Sequence, residues 1–140
     1  MVQSAEDSVM SIIDILREYE WSVRMICYCL DSLHEMAKRS EEHVVLMTQN
    51  LSLRVVINAM ERQRINAKVQ EKGCELLKIL AMHSAQSRSS ICDVNGSNFV
   101  LTAMRIHRGV ETVQMAAFAA LKALSDDPRC AKEVARIGGL

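Results

Sequence analysis

The side chains able to do chemistry in this chain are spread thinly. The four histidines, His34, His43, His83 and His107, fall one to a segment, and none stands in an H-E-x-x-H pair or one helical turn from another ligand type on the same face. His34 and Glu35 are sequence neighbours and so leave a helix in different directions. The five cysteines, Cys27, Cys29, Cys74, Cys92 and Cys130, form no C-x-x-C. Cys27 and Cys29 sit about 200° apart around a helix axis and cannot grip one ion from consecutive turns. An odd number of thiols, mostly at apolar or small positions of the pattern, reads as reduced core cysteine rather than a disulfide framework. There is no G-x-S-x-G and no glycine-rich phosphate loop, because the five glycines fall at bends and at one close helix contact, Gly73. No catalytic residue, metal site or cofactor is therefore expected, and the chain is not expected to be an enzyme.

What positions these residues is helix. Of the 140 residues 49% are apolar, enough for a core, while 4% aromatic residues and a single proline argue against strands and for long uninterrupted helices. Seventeen basic residues against seventeen acidic ones leave no net field toward phosphate or anionic lipid. The nearest thing to a basic patch, Arg54, Arg62, Arg64, Lys68 and Lys72, is diluted by Glu61 and Glu71 and has no interleaved aromatics, so nucleic acid is not an expected partner. The polar, acidic start is no signal peptide and no apolar run reaches membrane-spanning length, which predicts a soluble, cytoplasmic chain with no membrane partner.

The helices repeat. Val69-Gln70 with Leu77-Lys78 and Leu80 recurs 44 residues later as Val113-Gln114 with Leu121-Lys122 and Leu124. The set Val9, Ile12, Ile13 and Leu16, spaced as one helical face, recurs at the same interval as Leu53, Val56, Ile57 and Met60, and again at Ser97, Val100, Leu101 and Met104. Self-similarity at such a period marks a helical array. The pattern predicts helices at about 6–19, 22–38, 43–49, 52–62, 67–82, 88–94, 97–107 and 111–125, and a last one capped by Asp126-Asp127-Pro128 that carries Ala131, Val134 and Ile137 inward. The stripe of the second helix is Met25, Cys29, Leu33 and Met36, that of the fifth Val69, Gly73, Leu76, Leu77 and Leu80. Ser84–Ser90 reads as the most loop-like segment, and Asn95-Gly96 suits a positive φ at a helix end. Trp21 is expected to pack at the start of the second helix.

The residues Ile91 and Val94-Asn95-Gly96, then Val113-Gln114, Ala117, Ala120-Leu121 and Leu124, then Val134-Ala135-Arg136-Ile137-Gly138-Gly139-Leu140, make this unit resemble the armadillo repeat. The HEAT repeat, with two helices and a proline inside the first, is less similar. The resemblance covers nearly the whole chain, strongly over 51–140, whereas in 1–50 the match is weaker and Ser52 stands where the bend glycine belongs. It implies an all-α fold: a right-handed α-solenoid, or superhelix, of three-helix armadillo-type repeats whose third helices line a concave surface. The expected division is one array over 1–140, with a partial repeat at 1–39, repeats at 40–83 and 84–126, and the start of a further one at 127–140. Gly138-Gly139-Leu140 then stands at the doorway of a helix, as in a piece cut from a longer array.

In the peptide-binding armadillo proteins each third helix presents a Trp and, one turn on, an Asn whose amide clamps an extended peptide. The corresponding positions here hold Asp31, Glu75 and Ala119, and Glu35, Ile79 and Ala123, so that ladder is missing. The strip that remains is Asp31, Glu35, Glu71, Glu75, Ile79, Met115 and Ala119: acidic at one end, apolar at the other, and suited to an amphipathic basic helix. The plainer reading is a solvated face, with Lys72, Lys78 and Lys122 pairing those acids along their own helices. The resemblance implies a non-catalytic scaffold or regulatory adaptor that binds another protein. Two alternatives stand beside it. The array is an assembly segment of a large multidomain protein, since the armadillo region of a large signalling kinase shows a similar Val-Gln, Gly-Cys and Leu run; or it self-associates through exposed solenoid ends carrying Val134 and Ile137.

Overall fold

The computed structural model describes residues 4–138, and side chains through Arg136. Among these residues there are helices and no strand: α1 (Ala5–Glu18), α2 (Val23–Arg39), α3 (Glu41–Met47), α4 (Asn50–Arg62), α5 (Ala67–His83), α6 (Ala85–Asp93), α7 (Gly96–Ile106), α8 (Glu111–Leu124) and α9 (Pro128–Gly138). Five starts are set by a side-chain oxygen taking the backbone N–H three residues on: Ser4 from Asp7, Ser22 from Met25, Ser40 from His43, Asn66 from Val69 and Ser84 from Ser87. Ser84 also corrects one expectation. There is no loop at Ser84–Ser90, because Ser84 ends α5 and caps α6 in one residue, and Arg88 reaches back to the Ala81 carbonyl at 3.0 Å.

The long helices α2, α5 and α8 stand side by side, with α5 in the middle; α1, α4 and α7 form a second row behind them, and the short helices bridge the two. No helix can bury its stripe alone, so stacking supplies the core, which is the arrangement of an armadillo-type helical solenoid. Val9, Ile13 and Leu16 of α1, Leu53 and Met60 of α4, and Val100 and Leu101 of α7 are all buried, as are Val69, Gly73, Leu76, Leu77 and Leu80 of α5. The stripe of α2 turns instead on Ile26, Cys29, Leu30, Leu33 and Ala37, leaving Met25 and Met36 half-buried. The cause is position: α5 is flanked by α2 and α8, whereas α2 has a long helix, α5, on one side only. Met104 is likewise half-buried and Ala103 takes the inward place, and in α9 it is Cys130, not Ala131 or Val134, that is fully covered. The expected inward place of Ile137 and the Gly138-Gly139 bend lie outside the described side chains. Trp21 is 67% exposed rather than packed, with the Arg62 guanidinium 4.8 Å over its ring.

The Val-Gln pair turns out to be a joint. Gln70 donates from Nε2 to the carbonyls of Met60 (2.9 Å) and Gln63 (3.0 Å), and Gln114 does the same to Met104 (2.9 Å) and His107 (2.8 Å). Each glutamine thus satisfies a carbonyl that the last turn of α4 or α7 leaves over, Met60 or Met104, and shares a second with the backbone N–H of Asn66 or Val110. Neighbouring repeats are stitched at the same level, by Gln63 Nε2 to the Glu20 carbonyl (3.4 Å) and by the His107 ring against the Arg64 carbonyl (2.8 Å). At the Asn95-Gly96 bend it is Asn95 that takes the positive φ, 61°. Gly96 is needed for a different reason: a Cβ there would lie 2.3 Å from the Ile91 side chain and 3.0 Å from its carbonyl oxygen.

Candidate functional site

Side by side, α5 and α8 leave an open cleft of about 670 Å³ on their solvent face. From α5 come Glu71, Glu75, Ile79 and, on the same stripe, Lys78 and Met82; from α8 come Thr112, Met115, Ala116 and Ala119; His34 of α2 closes one side. On the α8 side the small side chains of Ala116 and Ala119 leave the space, and the rim is soft because Met82 and Met115 there are 64% and 66% exposed. One wall is acidic. Glu71 and Glu75 are half-buried; Glu71 meets only Lys68, at 3.9 Å, and among the described residues no ion pair forms at Glu75.

Five of the seven residues expected to face a partner therefore come together: Glu71, Glu75, Ile79, Met115 and Ala119. The other two do not join them. The Asp31 carboxylate takes the Lys72 ammonium at 2.7 and 3.0 Å, a bridge from α2 to α5 rather than the pairing within α5 that spacing suggested. That hydrogen bond raises the pKa of Lys72 above its ordinary value. Glu35 pairs with Lys38 at 3.1 Å, which lowers its own. Ala123 packs against the core. His34, Lys78, Met82, Thr112 and Ala116 are additions. Met82, three residues after Ile79 on the same face, was within reach of the periodicity; His34 was not, since its place depends on how α2 leans on α5.

The histidines stay apart from one another, and His107 is buried on a backbone carbonyl. The thiols are free, with Cys29, Cys74 and Cys130 fully covered. Burial pushes Cys29 up to about 11 and Cys74 up to about 12, so both stay protonated and inert near neutrality. Away from the cleft, one set of ligand-type side chains does converge: Cys92 of α6, Asp127 and Cys130, with one ligand atom from each all within 4.8 Å of one another. Burial, followed by the contact with Cys92, pushes the Cys130 thiol up to about 12. Of this cluster only the Asp127-x-x-Cys130 spacing, one helical turn, is visible in the sequence.

No helix among the described residues is long and apolar enough to cross a membrane. A family model described as the LRRK2 ARM repeat matches residues 2–136. No curated protein and no solved structure matches the chain.

Proposed function

The chain belongs to the LRRK2 ARM repeat family, and from that premise we propose that it is a non-catalytic protein-interaction module, with repeats at 40–83 and 84–126, that holds a partner helix in the cleft between α5 and α8. The observation that carries this is the pairing of an apolar lining, Ile79, Met115 and Ala119, with half-buried acids on one wall, of which Glu75 has no ion pair among the described residues. A half-buried carboxylate that no ammonium or guanidinium contacts directly favours a cation arriving from outside. The partner that fits is an amphipathic helix with apolar residues on one face and lysine or arginine beside them. A cytoplasmic setting agrees with five free thiols.

Replacing both Glu71 and Glu75 with Lys is expected to weaken binding of the natural partner, recovered with the full-length protein, by about tenfold or more, since like charges then meet across the interface. Light scattering should show the oligomeric state unchanged. An unaltered partner affinity removes the cleft as the binding surface.

A second reading, a structural one in which copies assemble through their stacking faces within a larger protein, is favoured by one residue. Phe118 is 62% exposed, while Leu30 and Cys74, which precede it at the 44-residue interval, are fully buried against the next long helix. If this face mediates assembly, light scattering over a range of concentrations should reveal dimers that Phe118→Asp abolishes. A wild-type chain that stays monomeric at every concentration contradicts it.

A further inference from the structure

We propose that Cys92, Asp127 and Cys130 form a zinc site that clasps α6 to the start of α9. Two thiolates and a carboxylate are a ligand set suited to zinc and poorly suited to magnesium or calcium, which prefer oxygen alone. The mutual distances fit. Zinc–sulfur bonds of about 2.3 Å in a tetrahedron put neighbouring ligand atoms about 3.8 Å apart. The three ligand atoms already lie within 4.8 Å of one another, so side-chain rotation of about 1 Å closes them on an ion. The Asp127 carboxylate meets Arg129 through Oδ1, which caps α9 by taking the Arg129 N–H at 2.8 Å, so that Oδ2 is the oxygen offered to the ion.

The two elements that bring the ligands are held in register before any ion arrives. Arg129, beside Asp127 in the first turn of α9, donates to Asp93 Oδ1 at 2.7 Å and to Ser89 Oγ at 2.7 Å and its carbonyl at 3.2 Å. Both residues flank Cys92 on α6. This fork is the kind of outer support that orients ligands. It also answers the charge: two thiolates, one carboxylate and Zn²⁺ sum to one negative charge, and the guanidinium lies 3.7 Å from Asp127. Cys130 is covered, whereas Cys92 is half-buried, so the ion has an entry path and a fourth position open to water on that side.

Cobalt(II) titration of the reduced full chain tests this, because cobalt reports thiolate ligation and tetrahedral geometry in its absorption spectrum. The expected result is a thiolate-to-cobalt charge-transfer band and intense visible bands that saturate at one equivalent and are displaced by zinc, and a thermal unfolding midpoint that zinc raises. Cys92→Ser, at a half-buried position and checked for retained helicity, should lose the bands and the midpoint shift; Asp127→Asn should weaken binding by about tenfold or more; Cys27→Ser should change neither. No charge-transfer band in the wild-type chain overturns the proposal, as does a band that persists in folded Cys92→Ser.

Discussion

Truncating Leu77 to Ala is expected to remove about 2–5 kcal/mol of folding free energy, the range for buried leucines whose cavity the surroundings fill only in part. Leu77 is fully covered in the middle of α5, the helix with a long neighbour on each side, so no flank can relax into the space without losing its own contacts. Leu121 occupies the same slot 44 residues on, at 3% exposure, and should cost a similar amount when truncated. Urea unfolding followed by helicity measures both. Lys78→Ala, on the next residue but exposed, should stay within about 0.5 kcal/mol, as surface changes do. A loss below about 1 kcal/mol at Leu77 would mean that the register of the stack is different.

Replacing Gln70 by Leu is expected to destabilise by about 1–3 kcal/mol although it adds apolar surface to a buried position. The substitution strips the Met60 carbonyl of its donor where water cannot easily replace it, and leaves the Gln63 carbonyl with the Asn66 N–H alone. Gln114→Leu does the same to Met104, leaves the His107 carbonyl with the Val110 N–H, and should cost a comparable amount. The first copy supplies the control, because α2 carries Ile26 at the equivalent place and buries it completely. Ile26→Gln should therefore destabilise as well. Equal or raised stability in Gln70→Leu, measured by the same unfolding, would show that the paired hydrogen bonds are incidental to the joint.

These two residues mark how far the sequence was legible. Leu77 could be read directly, since helical spacing and recurrence at a fixed interval are enough to say which face turns inward. Gln70 was equally visible as a recurring marker, but its purpose was not, because the carbonyls it satisfies belong to another helix and become its partners only when α4 and α5 pack. The cleft divides in the same way. Glu71, Glu75 and Ile79 share a face of α5 by their spacing alone, and Met115 and Ala119 follow by the repeat. Asp31 and Glu35 share that face of α2, yet whether an acid is free or engaged depends on reach: Lys72 extends to Asp31 from the next helix. The meeting of Cys92 with Asp127 and Cys130 spans two repeats and leaves almost no local signature.

If the α5–α8 cleft receives an apolar, positively flanked helix, methionine-methyl NMR will register it at the cleft itself. The probe is a helical peptide with leucines along one face and lysines beside them, titrated into the chain labelled at its methionine methyls. Met82 and Met115, on the rim of the cleft, are expected to shift saturably, buried Met47 and Met60 to stay in place, and the shifts to vanish in the Glu71→Lys, Glu75→Lys double variant. Shifts confined to Met25 and Met36 on α2, or shifts at Met82 and Met115 that survive the charge reversal, would contradict it.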